Sequence, residues 1–119
     1  MFKKIPKFEI NNSQLIIFLD SFVYQVELPY EIKQVEQFDN NLVVRLKIPL
    51  GIRFNENIFG ISYEGKILWQ IEPRKHPTSV SPYTNLAREG DSVYVFNWDG
   101  TDLVLDPYTG KILKEGYSK

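Results

Sequence analysis

The sequence contains no cysteine, and its 119 residues include only one histidine and one methionine. The absence of cysteine excludes disulfides and thiolate metal sites, and it is compatible with a reducing compartment. Apolar runs are short: the stretch from 15 to 23 is broken by Asp20 and is far too short to span a bilayer. Lys3 and Lys4 resemble the start of a signal peptide, but Pro6 and Glu9 interrupt any apolar stretch after them. We therefore expect a cytoplasmic protein with no membrane association.

Neither sign of charge dominates the sequence. Fourteen Lys and Arg residues against fifteen Asp and Glu residues leave a formal net charge of −1, and the two signs alternate along most of the chain. A nucleic-acid-binding protein normally carries a basic stripe. The densest basic cluster here, Lys3, Lys4 and Lys7, is typical of a solubilising tail. The charge pattern argues against a nucleic-acid partner.

Short apolar runs separated by turn signals fill the chain. Asp99-Gly100 joins two such runs, and Asp-Gly in this setting is typical of a hairpin with a type I′ turn. The segment 42–48 alternates apolar and polar residues with the two-residue period of a half-buried strand. The length suits one domain with its own core. We predict a single all-β domain over residues 1–119, with about ten short strands in antiparallel meanders and hairpins.

Two segments are less clear in the sequence. Ile32, Val35 and Phe38 are spaced by three, as in a helical turn, but the segment is too short for a stable helix and we favour a strand. The segment 73–82 contains three prolines and the histidine. Proline removes ladder donors, so we predict a long loop that divides the domain.

The sequence contains an internal repeat. The segment 58–68 aligns with 103–113 at an offset of 45 residues, and Tyr, Gly, Lys, Ile and Leu coincide. An alternating strand precedes each copy, so the repeat covers about 31–71 and 84–115. A self-similarity of this period is typical of four-stranded, blade-like units.

The second copy resembles the blade motif of quinoprotein-like (PQQ-type) β-propellers. That motif has an aspartate, a Thr-Gly pair shortly after it, and a tryptophan four residues past the glycine. Asp106, Thr109 and Gly110 match, whereas Lys114 stands at the tryptophan position. The resemblance implies that these residues dock one blade on the next and perform no chemistry.

The first copy holds the other half of the motif. Gly65 and Trp69 match, whereas Ile61 stands at the aspartate position and Glu64 at the threonine position. Two such units cannot close a propeller, which needs at least about four blades. We therefore predict two blade-like units packed as a sandwich or a barrel-like sheet, with Trp69 buried between strands. No cofactor follows from the resemblance.

No catalytic or metal-binding constellation stands out. His76 lies in the same loop as Ser79 and Ser81, but the chain has no nucleophile elbow or glycine-rich strand-to-helix turn. The segment 97–102 is rich in oxygen-bearing side chains, yet it lacks the register of a calcium loop. We predict no catalytic residue, no cofactor and no metal.

Aromatic and arginine residues near loops are the candidate partner-binding residues. Seventeen aromatic residues, counted as seven Tyr, eight Phe and two Trp, are generous for this length, and most belong in a β-rich core. Some follow a proline or lie beside a tight turn, where an exposed aromatic and arginine surface would suit a protein interface. These candidates are Tyr30, Arg74, His76, Tyr83 and Trp98.

The leading functional hypothesis is a non-catalytic protein-binding module with a protein partner. By analogy, a small cysteine-free domain of this kind suits a bacterial immunity or inhibitor-type protein that masks its partner. One alternative is a small-ligand-binding protein or enzyme with a pocket near His76. Another alternative is a subunit of a ring-forming structural assembly.

Overall fold

The computed structural model describes residues 6–74 and 79–117, and these residues form eleven β-strands and no helix. The strands are β1 Lys7–Asn11, β2 Gln14–Leu19, β3 Phe22–Glu27, β4 Ile32–Gln37, β5 Asn41–Leu46, β6 Ile58–Ser62, β7 Ile67–Gln70, β8 Tyr83–Glu89, β9 Ser92–Asn97, β10 Thr101–Leu105 and β11 Ile112–Tyr117. All pairings are antiparallel and join strands that are consecutive in sequence, but β3 does not pair with β4 and β7 does not pair with β8.

The strands form three sheets, which we call the N-terminal sheet (β1–β3), the central sheet (β4–β7) and the C-terminal sheet (β8–β11). The all-β prediction is confirmed, and the described strands close neither a barrel nor a propeller. The segment around Val35 is a strand, as favoured. The two repeats correspond to the central and C-terminal sheets. The first three strands form a sheet of their own, because Pro29 ends the meander before β4 begins.

The central sheet is the middle layer of a three-sheet stack. Leu42, Val44 and Leu46 of β5 belong to a core shared with the N-terminal sheet, whereas Val43 and Ile58 belong to a second core shared with the C-terminal sheet. Alternation along β5 predicted that Val43 faces a more polar side, but its side chain is 0% exposed. Both faces of this sheet are covered, so it carries apolar residues on both.

Trp69 docks the central sheet on the C-terminal sheet. Its Nε1 donates to the carbonyl oxygen of Pro107 at 2.9 Å, and Asn41 Nδ2 donates to the same oxygen at 2.7 Å. The indole lies over two glycines: a Cβ on Gly60 would come within 2.1 Å of it, and one on Gly110 within 2.5 Å. Trp69 is 9% exposed, as predicted for a buried residue. The contact joins two sheets, which is the role that the resemblance implies.

A similar contact joins the first two sheets. A Cβ on Gly65 would lie 3.2 Å from Cβ of Tyr24 and 3.3 Å from a methyl group of Val26. Tyr24 precedes Trp69 by 45 residues, which is the offset of the repeat. The repeat therefore extends into the N-terminal sheet. Lys114 follows Trp69 by the same 45 residues and pairs with Val104 in the C-terminal sheet. No further sheet follows the C-terminal sheet within the described residues.

The alignment of the repeats needs one correction. In the C-terminal sheet, Asp106 accepts a backbone hydrogen bond from Gly110 at 2.8 Å, and in the central sheet Ser62 accepts the equivalent bond from Gly65 at 3.0 Å. Ser62, and not Ile61, therefore stands at the aspartate position. The turn from Asp106 to Gly110 is one residue longer than the turn from Ser62 to Gly65. An offset of 45 residues is therefore correct after the turn, whereas the residues before it align at an offset of 44.

Candidate functional site

A cleft of about 350 Å³ opens between the central and C-terminal sheets. One wall is the end of β5 with the loop that follows it, and the other is the start of β8 with the turn after β9. The exposed apolar side chains that surround it are far apart in sequence. We call this feature the apolar cleft, and its apolar rim consists of Leu50, Ile52, Val80 and Trp98.

Leu50 lies at the tip of a tight turn on the rim. The turn from Pro49 to Ile52 is closed by a hydrogen bond from Ile52 N to Pro49 O at 3.2 Å. Gly51 has φ +82°, the left-handed conformation that the third position of a type II turn requires. The Leu50 side chain is therefore held fully exposed on a defined backbone. An exposed leucine adds nothing to the core, so this position suits contact with another molecule.

Trp98 is the aromatic member of the rim. Its backbone N donates to the carbonyl oxygen of Pro82 at 3.0 Å, which fixes the main chain, while 73% of the residue stays exposed. Ile52 and Val80 are also exposed. Exposed tryptophans among aliphatic side chains are typical of the residues that dominate protein interfaces.

A buried amide holds the two walls of the cleft together. Asn57 is 1% exposed, and its Nδ2 donates to the carbonyl oxygens of Leu46 and Tyr83, both at 2.9 Å. Its Oδ1 accepts from Tyr83 N at 2.8 Å. One side chain therefore ties the end of β5 to the start of β8, and the cleft is preformed. No local pattern in the sequence marks Asn57 as a residue that bridges two sheets.

The charged groups of the cleft are cationic. Arg45 and Lys47 line it, and none of the described residues that line it is Asp or Glu. Arg45 Nε donates to Gln34 Oε1, and Gln34 Nε2 donates to Asn85 Oδ1 at 2.8 Å. Burial lowers the pKa of the Arg45 guanidinium below its ordinary value. Across residues 6–74 and 79–117, no carboxylate lies within ion-pair distance of this guanidinium.

Tyr83 does not present its ring to solvent, and the expectation of an exposed aromatic there is wrong. It is 2% exposed, because β8 begins at this residue and turns the side chain into the second core. Its hydroxyl is buried and has no hydrogen-bond partner among the described residues. Burial raises the pKa of Tyr83 to about 12, opposed by the nearby Arg74 cation.

Arg74 faces inward to the C-terminal sheet. Its guanidinium lies 3.4 Å from Asp99 and 3.2 Å from Glu115, and it donates to Thr101 Oγ1 at 3.3 Å. Asp99 follows Trp98 directly, so Arg74 supports the turn that presents the indole. Its contribution to partner binding stays a prediction. Its contacts with Asp99, Thr101 and Glu115 show that it stabilises the turn after β9.

Of the two remaining candidates, only Tyr30 lies among the described residues, and it packs against the core shared with the N-terminal sheet. Tyr30 is half-buried, and its ring packs edge-on against Phe54 at 5.2 Å between centroids. His76 lies outside the described residues. The structure therefore brings Arg74, Tyr83 and Trp98 together around the turn after β9, and it does not place Tyr30 there. The exposed aliphatic residues Leu50, Ile52 and Val80 were missed, since an isolated apolar loop residue carries no sequence signal of exposure.

Two features are absent from the described part of the chain. Within it, no group of three or more His, Asp or Glu side chains is arranged to hold a metal ion. None of the described segments forms a helix long and apolar enough to cross a membrane.

The fold is similar to that of solved structures. The computationally designed Ika4 protein matches 99% of this chain over 70% of its own length, with TM-score 0.69 and 19% identity. The designed Ika8 protein matches 94% of this chain over 36% of its length, with TM-score 0.57 and 17% identity. BamB from Moraxella catarrhalis matches 95% over 34% of its length, with TM-score 0.63 and 22% identity.

These matches concern the fold alone. BamB is a PQQ-like β-propeller protein, and Ika4 and Ika8 are designed propeller proteins. The sheets of this chain are therefore similar to propeller blades, and the chain spans only about a third of BamB and of Ika8. A comparison with curated protein sequences finds no match. The profile of a family described as a domain of unknown function, DUF7957, matches residues 5–117, and the chain belongs to that family.

Proposed function

We propose that this chain is a non-catalytic protein-binding module and that the apolar cleft is its contact surface. The observation that carries the proposal is Leu50, which a glycine-dependent turn holds fully exposed beside the exposed indole of Trp98. A contiguous exposed apolar patch on a folded domain is typical of an interaction site. The preformed backbone of the rim lowers the entropy that a partner must remove on binding.

The lining of the cleft favours binding over catalysis. Among the described residues, its lining contains no Asp, Glu, His, Cys or Ser side chain. Its threonine, Thr84, donates its hydroxyl to the carbonyl oxygen of Phe96 at 3.2 Å. A nucleophile paired with a base is therefore missing from the lining. The alternative of a small-ligand site near His76 lies outside the described residues.

The shape of the cleft favours a macromolecular partner. Its volume of about 350 Å³ is at the low end of the range for small-molecule pockets, about 300–1,000 Å³. The rim side chains point to solvent, as a partner's surface requires, instead of enclosing a cavity. By analogy we extend the proposal to a cytoplasmic immunity or inhibitor-type protein that masks its partner.

The test compares rim variants with matched surface variants. Leu50→Ser and Trp98→Ala remove rim contacts, whereas Leu113→Ser and Tyr108→Ala change exposed residues that do not line the cleft. Each immobilised protein is exposed to lysate of the source organism, and captured proteins are quantified by mass spectrometry. A captured protein is then purified and titrated against all variants.

The proposal expects one partner that binds the wild type and both control variants. Its affinity for each rim variant falls by at least about tenfold, as for truncation of an interface hot spot. Equal affinity of the purified partner for rim and control variants would refute the proposal, as would the absence of any saturable partner.

The ring-forming alternative receives less support. The position that docks one sheet on the next holds Tyr24 and Trp69 in the first two sheets and Lys114 in the last. A lysine on an outer sheet face favours solvent over a further sheet. Against this, the outer face of the N-terminal sheet exposes Phe18 and Val23.

A further inference from the structure

We propose that the partner contributes an acidic, apolar peptide segment, whose carboxylate pairs with Arg45 while its apolar side chains cover the rim of the cleft. This inference rests on the proposed function and adds the chemistry of the partner.

Arg45 is the residue that would meet the carboxylate of the partner. It is half-buried on the face of β5 that looks toward the C-terminal sheet, and it lines the cleft. Its Nε is held by Gln34, which is itself held by Asn85. This relay orients the guanidinium through neutral groups and leaves its charge uncompensated. Neither Nη atom has a hydrogen-bond acceptor among the described residues, and neither is fully buried, so both are accessible to solvent and to a ligand.

Partial burial of the Arg45 guanidinium without an anionic partner is unfavourable in free energy. Moving a cation out of water is unfavourable unless an anion or several acceptors compensate it. Burial already lowers the pKa of Arg45, which reports a weakened preference for the charged form. An arriving carboxylate would accept from both Nη atoms and supply the missing compensation. Arginine suits this task because its planar fork matches a carboxylate with two parallel hydrogen bonds.

The charged groups around Arg45 also favour an anionic ligand. The protein as a whole is slightly acidic, with a net charge of −1. The cleft nevertheless holds Arg45 and Lys47, and no acidic residue lines it within the described part of the chain. Lys47 is exposed at the entrance. A local cationic site on an acidic protein favours an anionic ligand and speeds its approach. The adjoining apolar rim requires that this anion carry apolar groups, as an acidic and aliphatic or aromatic peptide does.

The experiment selects peptides from a display library of short random sequences. The wild type is expected to enrich peptides with Asp or Glu beside large apolar residues. One selected peptide is then titrated against Arg45→Gln, Arg45→Glu and Lys47→Gln. The control, Lys66→Glu, makes the same charge change as Arg45→Glu on an exposed hairpin residue that does not line the cleft. Thermal unfolding of each variant identifies any that do not fold.

The expected result is a loss of peptide affinity of at least about tenfold in Arg45→Gln. A smaller loss is expected in Lys47→Gln and little change in Lys66→Glu. A library selection on Arg45→Glu should enrich Lys or Arg in place of Asp and Glu. If Arg45→Glu does not fold, Arg45→Gln and the exposed Lys47→Gln carry the comparison.

Two failures can be told apart. Selected peptides that are apolar without acidic residues, and that bind Arg45→Gln as well as wild type, would overturn this inference and leave the proposed function standing. Selected peptides that also bind Leu50→Ser and Trp98→Ala with wild-type affinity would overturn both.

Discussion

At the scale of single residues, Tyr83 is buried in the core between the central and C-terminal sheets. The Tyr83 hydroxyl is buried and has no hydrogen-bond partner among the described residues. An unsatisfied buried polar group costs about 1–3 kcal/mol. The ring itself fills the second core beside Leu86 and Val95. The tyrosine is therefore a packing residue, and burial raises the pKa of its hydroxyl against the opposing effects of Arg74 and the Asn97 side chain.

Replacing that oxygen should not harm the fold. We expect Tyr83→Phe to unfold with a free energy equal to the wild-type value or higher by about 1 kcal/mol, because the aromatic packing is retained and the unpaired hydroxyl is removed. Urea denaturation followed by fluorescence measures this difference. A decrease of more than about 1 kcal/mol would mean that the hydroxyl has a stabilising partner.

Tyr83 should also make the free energy of unfolding depend on pH in the alkaline range. Burial raises the pKa of Tyr83 to about 12, whereas a tyrosine in an unfolded chain has a pKa of about 10. The folded protein therefore keeps a proton that the unfolded chain releases. This contribution to stability is constant below about pH 10 and falls as the pH rises toward about 12.

Tyr83→Phe provides the reference for that measurement. Between pH 8 and pH 11, the wild type should lose about 1 kcal/mol more unfolding free energy than Tyr83→Phe. Denaturation at the two pH values, performed on both proteins, isolates the contribution of this residue from that of the lysines. Parallel curves for both proteins would show that Tyr83 ionises in the folded state as it does in the unfolded one.

At the scale of the elements, the contact between β6, β7 and the turn before β11 holds the second and third sheets together. Trp69 lies against Gly60 and Gly110, and its indole nitrogen donates to Pro107. The close approach depends on the absence of a Cβ at both glycines. The sheet interface therefore depends on one large residue and two minimal ones.

A methyl group at Gly60 should disrupt that contact. We expect Gly60→Ala to lower the unfolding free energy by about 2 kcal/mol, because its Cβ would overlap the Trp69 indole. Gly116→Ala is the matched control: its Cβ would meet the end of the Asp102 side chain, which can rotate away. Chemical denaturation measures both, and equal effects would contradict the proposed role of the indole.

A double-mutant cycle tests the same contact directly. In a Trp69→Leu background, the cost of Gly60→Ala should fall well below its cost in the wild type, since the overlapping ring atoms are gone. Additive losses in the two variants would show that the alanine acts through some other neighbour.

At the scale of the whole molecule, the stack of three sheets has two outer faces, and both must face solvent if the protein acts alone. Lys114 suits such a face on the C-terminal sheet. Phe18 and Val23 lie opposite each other on β2 and β3 and are exposed on the other outer face, but a small exposed apolar patch is common in monomers.

We therefore expect the purified protein to be a monomer of 13.9 kDa. Light scattering coupled to size-exclusion chromatography measures its mass over a range of concentrations. A stable oligomer that Phe18→Ser and Val23→Ser dissociate would favour the ring-forming alternative instead.

Local features of the sequence determined most of the elements. Asp99-Gly100 predicted a hairpin, and β9 and β10 form one, but the predicted type I′ turn is wrong. Gly100 has φ +92°, whereas Asp99 does not have a positive φ, and Gly100 N donates to Asn97 O at 3.0 Å, so the tight turn spans Asn97 to Gly100. The alternation along 42–48 predicted β5, since a two-residue period is a property of a single strand. The resemblance of Gly65, Trp69 and Gly110 to the propeller-blade motif also implied docking contacts, although the alignment of the two copies needed correction by one residue before the turn.

Only the tertiary structure decided which faces are covered and where the candidate site lies. Val43 and Tyr83 are buried because another sheet packs on them, and no neighbour in sequence encodes that contact. The apolar cleft joins Leu50 to Trp98 through Asn57, whose side chain bridges two sheets. Strand pairing between neighbours in sequence is local and can be predicted from the chain. The packing of whole sheets depends on the summed burial of many distant side chains, and it decides which loops meet.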